Sequence, residues 1–242
     1  METGWYPVAL AEGLERGMST GTRLFGRELV VWRDSADTSH VWEDRCPHRG
    51  MRLSFGFVRD NHIACLYHGW QYDTSAQCRY IPAHPDVAVP GTIRVATYPS
   101  IERLGIVWAY NELDSDAPQD IIGFAEGAPV TPVRSLYVDA SAAKVFDALV
   151  LAECPALKNA AGTTQRSRTD ALVSLRSGGD EILVAVQQLS DVEAALHIVI
   201  AGSPDVYGGD SQKRVSAWGE ALRREIEGAA RYAGELRHEV AL

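Results

Sequence analysis

Two short loops in the first third of the chain constrain its fold more than any other feature. Residues 46–50 read Cys46-Pro47-His48-Arg49-Gly50 and residues 65–70 read Cys65-Leu66-Tyr67-His68-Gly69-Trp70, with sixteen residues between His48 and Cys65. Each loop offers one thiolate and one imidazole, so a fold must bring both loops together before the four donors can act on one group. Such a set suits a [2Fe–2S] cluster in which both Cys bind one iron and both His the other. Structural zinc also accepts two Cys and two His. Zinc loops more often pair like with like, as C-x-x-C and H-x-x-x-H, whereas here each loop is mixed. Unrelated buried Cys and surface His are the third reading.

Composition narrows the class without choosing among these. The 242 residues are 46% hydrophobic and 23% charged, which excludes a disordered or collagen-like chain. With 23 Lys+Arg against 32 Asp+Glu the net charge is −9, which makes nucleic acid and anionic membranes poor partners. No apolar run approaches the roughly 18 residues of a membrane helix. The start, Met1-Glu2-Thr3-Gly4-Trp5, lacks the pattern of a signal peptide, so a cytoplasmic location is the expectation. Four Cys in a chain this long do not make a disulfide framework.

From Trp5 to about Tyr110 the pattern is all-β: short runs at 29–32, 39–42, 63–65, 70–72, 93–96 and 106–110, separated by turns, with one helical turn expected near Ala11 to Arg16. The stretch from Asn111 to Val133, rich in Asp, Gly and Pro, reads as a linker. The expected division is 1–115, a linker over 116–133, and a second domain over 134–242. That domain shows β-like runs at 135–138, 171–175, 181–186 and 195–200 and a helix over 142–151. A C-terminal helix over 211–236 is expected, because Trp218, Leu222, Ile226, Ala229, Ala233 and Leu236 recur at three- and four-residue spacing.

The two loops together with Leu53-Ser54, Gly56, Cys78 and Ile81-Pro82 resemble the Rieske domain of Rieske-type non-haem iron oxygenases. The resemblance runs from Trp5-Tyr6-Pro7-Val8 through Val30-Val31-Trp32-Arg33 to Tyr98-Pro99, Glu102, Gly105 and Val107-Trp108. Within the family it is nearest to the vanillate O-demethylase group of oxygenase components. It implies that Cys46 and Cys65 ligate one iron and His48 and His68 the other, which removes most of the weight from zinc. The respiratory type of Rieske protein is similar in its ligands but has an extra Cys in each loop and a hydroxyl residue after the second His-Gly. Here Met51, Leu66 and Trp70 stand at or near those places. Fewer hydrogen bonds to sulfur leave the reduced cluster less stabilised, so the expected potential is near the lower end of the Rieske range, about −150 mV. Cys78 reads as a small buried hydrophobe, and Arg49 and Trp70 as residues that cover the cluster, dock a partner or simply pack.

The same resemblance implies a second domain of helix-grip (START/Bet v 1-like) α+β fold with a C-terminal helix, so the whole chain is expected to be α+β. Family members hold a mononuclear Fe(II) there through a pattern like N-x-x-D-x-x-H-x-x-x-x-H and a later carboxylate. In the best register Ala148, Leu151, Cys154 and Asn159 take the four places, and Glu220 is the nearest carboxylate. After residue 84 the only histidines are His197, read as a sheet residue, and His238, read as exposed. About 110 residues follow the linker, fewer than the family usually has. The leading expectation is a Rieske [2Fe–2S] subunit with its mononuclear iron site lost. It would take electrons from a reductase or ferredoxin and pass them to a catalytic subunit in a mixed ring. The alternatives are a self-sufficient oxygenase with unorthodox ligands, Cys154, Glu220 or His197 among them, and a redox-sensing or ligand-binding module. The substrate is not legible.

Overall fold

The computed structural model describes residues 3–116, 127–159 and 162–240, the stretch 233–240 by its backbone only. The chain divides into two compact units, Met1–Ile122 and Gly123–Leu242.

The first unit is built of antiparallel strands: β1 (Trp5–Leu10), β2 (Ser19–Leu24), β3 (Arg27–Arg33), β4 (Ser39–Glu43), β5 (Phe57–Arg59), β6 (His62–Ala64), β7 (Gln71–Asp73), β8 (Cys78–Tyr80), β9 (Thr97–Tyr98), β10 (Ser100–Arg103) and β11 (Ile106–Tyr110). They form three sheets, β1-β11-β10, β2-β3-β4-β9 and β5-β6-β7-β8. The apolar run Leu29-Val30-Val31-Trp32 in β3 is buried on both faces because successive side chains enter different cores. Val30 and Trp32 join Trp42, Leu53, Ile63 and Tyr72 around the two cysteines. Leu29 and Val31 join Val8, Leu24, Val41, Tyr98 and Val107 on the other side. One strand thus ties the metal-loop core to the rest of the unit.

The second unit holds β12 (Val130–Val138), α1 (Ala142–Leu151), β13 (Gln165–Thr169), β14 (Leu172–Ser177), β15 (Asp180–Gln188), β16 (Ala194–Ala201), α2 (Pro204–Tyr207) and α3 (Asp210–Val240). The sheet is antiparallel in the order β12-β16-β15-β14-β13. One face, with Leu136, Val138, Val184, Val186, Leu196, Ile198 and Ile200, packs with Val145 and Leu149 of α1 and with Val215, Leu222 and Ile226 of α3. Helix α3 lies close on the sheet at Gly219, where a Cβ would stand 2.8 Å from Ile198 Cδ1 and 2.9 Å from Leu136 Cδ1. Helix α1 starts where Ser141 Oγ accepts a bond from the Lys144 amide. The α+β class expected from sequence is the one observed. Among the described residues no helix is long and apolar enough to cross a membrane.

Three local expectations change. Residues 93–96 form an isolated bridge, Arg94 to Gln77, rather than a strand, because the Ile93 carbonyl and Val95 amide bond the Ala76–Cys78 turn instead of a ladder. Ala11 to Arg16 is a turn closed by Leu14 N to Ala11 O, with the Ala11 amide bonded outward to Gly105 O, so no helix propagates. Strand β12 opens at Val130, inside the stretch read as linker, and residues 117–126 of that stretch lie outside the described residues. The side chain of His238 likewise lies outside them.

Candidate metal centre

The two loops are built alike. In each, the Cys amide donates to the carbonyl five residues on (Cys46 to Met51, 2.8 Å; Cys65 to Trp70, 2.9 Å). In each, the Gly amide four residues on donates back to the Cys carbonyl (Gly50, 2.8 Å; Gly69, 2.9 Å). Such closure turns the chain through a left-handed residue, and Gly50 and Gly69 sit at φ 71° and 69°. The shared pattern Cys-x-x-x-Gly is the sequence signal for this, while His stands at the second place after Cys in one loop and the third in the other. At Gly69 a Cβ would also meet Pro82 Cγ at 2.9 Å, so the Ile81-Pro82 segment closes over the second loop.

This geometry brings the four sequence-marked residues to one end of the unit. Cys46 and Cys65 are buried, whereas His68 is exposed and His48 half-buried. The imidazole centroids lie 4.7 Å apart. Each ring has an aromatic support: Trp70 stacks on His48 at 4.3 Å and 5°, and Tyr67 leans on His68 at 3.8 Å. Trp70 therefore acts first as a brace for His48. Tyr67 is a brace the sequence reading did not single out; its place directly before His68 was the available signal.

The electrostatics fit a cationic occupant. Burial pushes the Cys65 thiol above its ordinary range, and the neighbouring Cys46 adds to the shift, since two adjacent thiolates repel. Cys78 is raised by burial, with Cys46 a smaller cause. It is a buried free thiol whose Sγ points to the Tyr80 carbonyl at 3.8 Å, which agrees with its reading as a small core residue. His48 is held below the usual imidazole range by desolvation and then by the positive charges of His68 and Arg49, which favours the neutral, ligating form. Two buried sulfurs beside two accessible imidazoles make a donor set that suits a mixed-ligand [2Fe–2S] cluster.

Tyr72 is a functional candidate that sequence reasoning missed. Its ring is fully buried in β7 and its hydroxyl lies 3.1 Å from Cys46 Sγ. Burial and then Cys46 hold its proton on far more tightly than in water, so towards a thiolate it is a donor. The sulfur that looked unsupported in the sequence has a hydroxyl beside it, delivered from seven residues past the second Cys by the hairpin β6–β7.

In the second unit the residues that the sequence placed in the iron pattern each have surroundings of their own. Ala148 is partly buried against the core, and Leu151 is 78% exposed. Cys154 is buried, its Sγ turned to the Pro155 carbonyl at 3.7 Å, and burial followed by the charge of Asp180 pushes its thiol to about 11. Asn159 donates its side-chain amide to Asp180 Oδ1 at 2.7 Å. Glu220 pairs with Arg134 and Arg223. His197 bonds Ser135 Oγ and Gln187 Oε1, each at 2.8 Å, so both ring nitrogens have partners.

Residues 4–99 match the family model described as the Rieske [2Fe-2S] domain. The Oxidoreductase NdmD of Pseudomonas putida is 36% identical over 139 residues, which are 56% of this chain and 24% of that protein. The 4beta-methylsterol monooxygenase of Methylococcus capsulatus is 33% identical over 136 residues, 54% of this chain and 34% of that protein. The 3-chlorobenzoate-3,4-dioxygenase oxygenase subunit of Comamonas testosteroni is 36% identical over 112 residues, 46% of this chain and 26% of that protein. The chain thus spans about a quarter to a third of the length of these relatives. In fold it is similar to dicamba monooxygenase bound to dicamba, with TM-score 0.74 at 17% identity over 98% of this chain and 89% of that one. Pseudomonas putida CBB5 NdmA superposes with TM-score 0.63 at 20% identity over 92% of this chain and 80% of that one. The first unit therefore carries a Rieske domain, which implies a [2Fe–2S] cluster, and the chain is homologous to Rieske-type oxygenase components.

Proposed function

We propose that this chain is an electron-relay component of a Rieske-type oxygenase system of the aromatic-hydroxylating or demethylating kind. Cys46 and Cys65 hold one iron of its cluster, and His48 and His68 hold the other. The second unit binds no mononuclear iron, and electrons drawn from a reductase or ferredoxin go on to the iron of a catalytic subunit in a mixed ring. When bound, the cluster supplies a one-electron carrier. The chain's residues supply its setting: β3, β4 and β7 close the cysteine side with Trp32, Trp42 and Tyr72 and keep water from the thiolates. The two imidazoles stand at the surface, where a partner's redox centre can approach.

The observation that carries this reading is that pairing of buried thiols with accessible, aromatically braced imidazoles at one end of the unit. The engagement of Cys154, Asn159 and Glu220 with other protein groups supports the loss of the second iron. Iron and acid-labile sulfide per chain, with an EPR spectrum after dithionite reduction of protein purified without oxygen, test it. Two irons, two sulfides and a Rieske signal are expected. A third iron, lost on substituting Cys154 or Glu220, would make the chain an oxygenase in its own right.

A further inference from the structure

Beside His48 lies a cleft of about 410 Å³ lined by Glu43, Arg45, Pro47, Arg49 and Arg94 among others. It shares Glu43, Arg45, Arg49 and Gly50 with a second depression of about 530 Å³ that reaches Arg27, Glu28 and Asp44. The charges here are unevenly satisfied. The Asp44 carboxylate accepts from the Ser54 amide at 2.7 Å and the Ser54 hydroxyl at 2.6 Å, and Glu28 is ion-paired with Arg52. Arg94 reaches Asp114 at 3.5 Å. Arg45 and Arg49, both exposed, have no carboxylate partner among the described residues, although the chain has nine more acidic than basic side chains. Elsewhere in the unit Arg16, Arg33, Arg52 and Arg79 each have one. Next to His68 in the second loop the surface is apolar, with Leu66 50% and Tyr67 57% exposed and the Tyr67 ring against the His68 imidazole. Glu43 is the one acidic residue lining the cleft next to His48.

From this we infer that the Arg45–Arg49 cleft is the docking site of an acidic electron-donor protein. Carboxylates of the donor engage the two free guanidiniums while Leu66 and Tyr67 cover its apolar centre, which brings its redox centre to the His48 edge. The inference rests on the relay reading above and adds the donor's charge and its place of contact. A planar guanidinium binds a carboxylate through two parallel hydrogen bonds, so two adjacent ones fix orientation as well as attraction. Local positive potential at the entry point offsets the repulsion that a chain of charge −9 exerts on an acidic partner, and steers encounter. In the transfer one electron leaves the donor, which is oxidised, and reduces the cluster by one.

An acidic plant-type [2Fe–2S] ferredoxin and basic cytochrome c serve as probes against the cluster-loaded chain. Calorimetric binding of oxidised ferredoxin at low ionic strength, and the stopped-flow rate of cluster reduction by reduced ferredoxin, should both fall at least tenfold between 20 and 300 mM salt, roughly as expected for two or more charge contacts. The Arg45→Glu/Arg49→Glu variant should lose at least tenfold in both at low salt and lose the salt dependence, while reduction by methyl viologen radical cation is not slowed. Arg45→Glu alone, which leaves the Arg49 next to His48 in place, is the second variant should the double one fail to load a cluster, and a several-fold loss is expected. Unchanged ferredoxin binding in these variants, salt-independent binding, or equal binding of cytochrome c would overturn the docking site. Absence of a Rieske EPR signal from the parent chain would instead overturn the relay reading, with ferredoxin binding still deciding the cleft.

Discussion

The cluster end of the first unit and the stretch around Cys154 and Asn159 in the second both present potential ligands, and they differ in what those ligands already touch. At the cluster end the imidazoles are, among the described residues, braced by aromatic rings, which fix orientation without occupying a nitrogen. In the second unit each candidate is engaged by a protein group. Asn159 belongs to a nest in which the amides of Leu157, Lys158 and Asn159 all donate to Asp180 Oδ2 at 3.1 Å, while the Asn159 side chain and Tyr207 hydroxyl donate to Oδ1. Burial alone would raise the Asp180 carboxyl, but these donors outweigh it and hold it below the usual range. The lesson is that ligand chemistry resides in free lone pairs on a preset frame, and residue type alone does not confer it.

The sharpest way to break the comparison is to remove one donor from each side. Cys65→Ala should abolish the cluster, taking iron from two per chain to none and erasing the reduced EPR signal. Cys154→Ala should leave both unchanged. Iron loss in the second variant, or retention in the first, would invert the contrast.

Asp180→Ala tests how far the second unit is held by the hydrogen bonds around this carboxylate. Five donors would lose their acceptor, and at about 1–3 kcal/mol for a buried donor left unsatisfied, partly relieved by water, the unit should lose roughly 4 kcal/mol. Hydrogen exchange of β14–β16 amides should report this with the cluster spectrum intact. A change below about 1 kcal/mol would show that the nest is incidental.

His197 gives a pH test of comparable size. Burial holds its folded-state pKa at about 4, against about 6.5 when unfolded. Between those values the unfolded chain binds more protons, so the contribution is complete above about pH 6.5 and is lost as pH falls toward 4, to a total of about 3 kcal/mol. His197→Gln should flatten that slope relative to the parent. Equal slopes would mean the imidazole is not buried neutral.

The smallest effect sharpens the description of the cluster. Removing the hydroxyl in Tyr72→Phe should lower the potential by roughly 40 mV, equivalent to about 1 kcal/mol of bonding stronger in the reduced state. A potential unchanged in spectroelectrochemical titration would leave Tyr72 as packing.

Much of the metal end was legible because its signals are local. Cys-x-x-x-Gly fixes each loop by short-range bonds and a left-handed glycine, and the β3 run names both cores it separates. The Tyr72–Cys46 bond was hidden because it depends on the pairing of β6 with β7, which carries the tyrosine back over the first loop. The run 93–96 misled because Val95 is buried like a strand residue while its backbone bonds a turn. In the second unit the sequence displayed Cys154, Asn159 and Glu220 as available, and only the fold reveals that Asp180, Arg134 and Arg223 hold two of them and burial the third.

Mössbauer spectroscopy of the chain reconstituted anaerobically with excess 57Fe(II) and sulfide, then desalted, tests the central claim most directly, because it counts kinds of iron as well as atoms. The account expects one antiferromagnetic pair that becomes valence-localised on reduction, with the ferrous member on the imidazole side, and no other component. A high-spin ferrous doublet that persists in the oxidised, desalted sample and disappears in Cys154→Ala would contradict it.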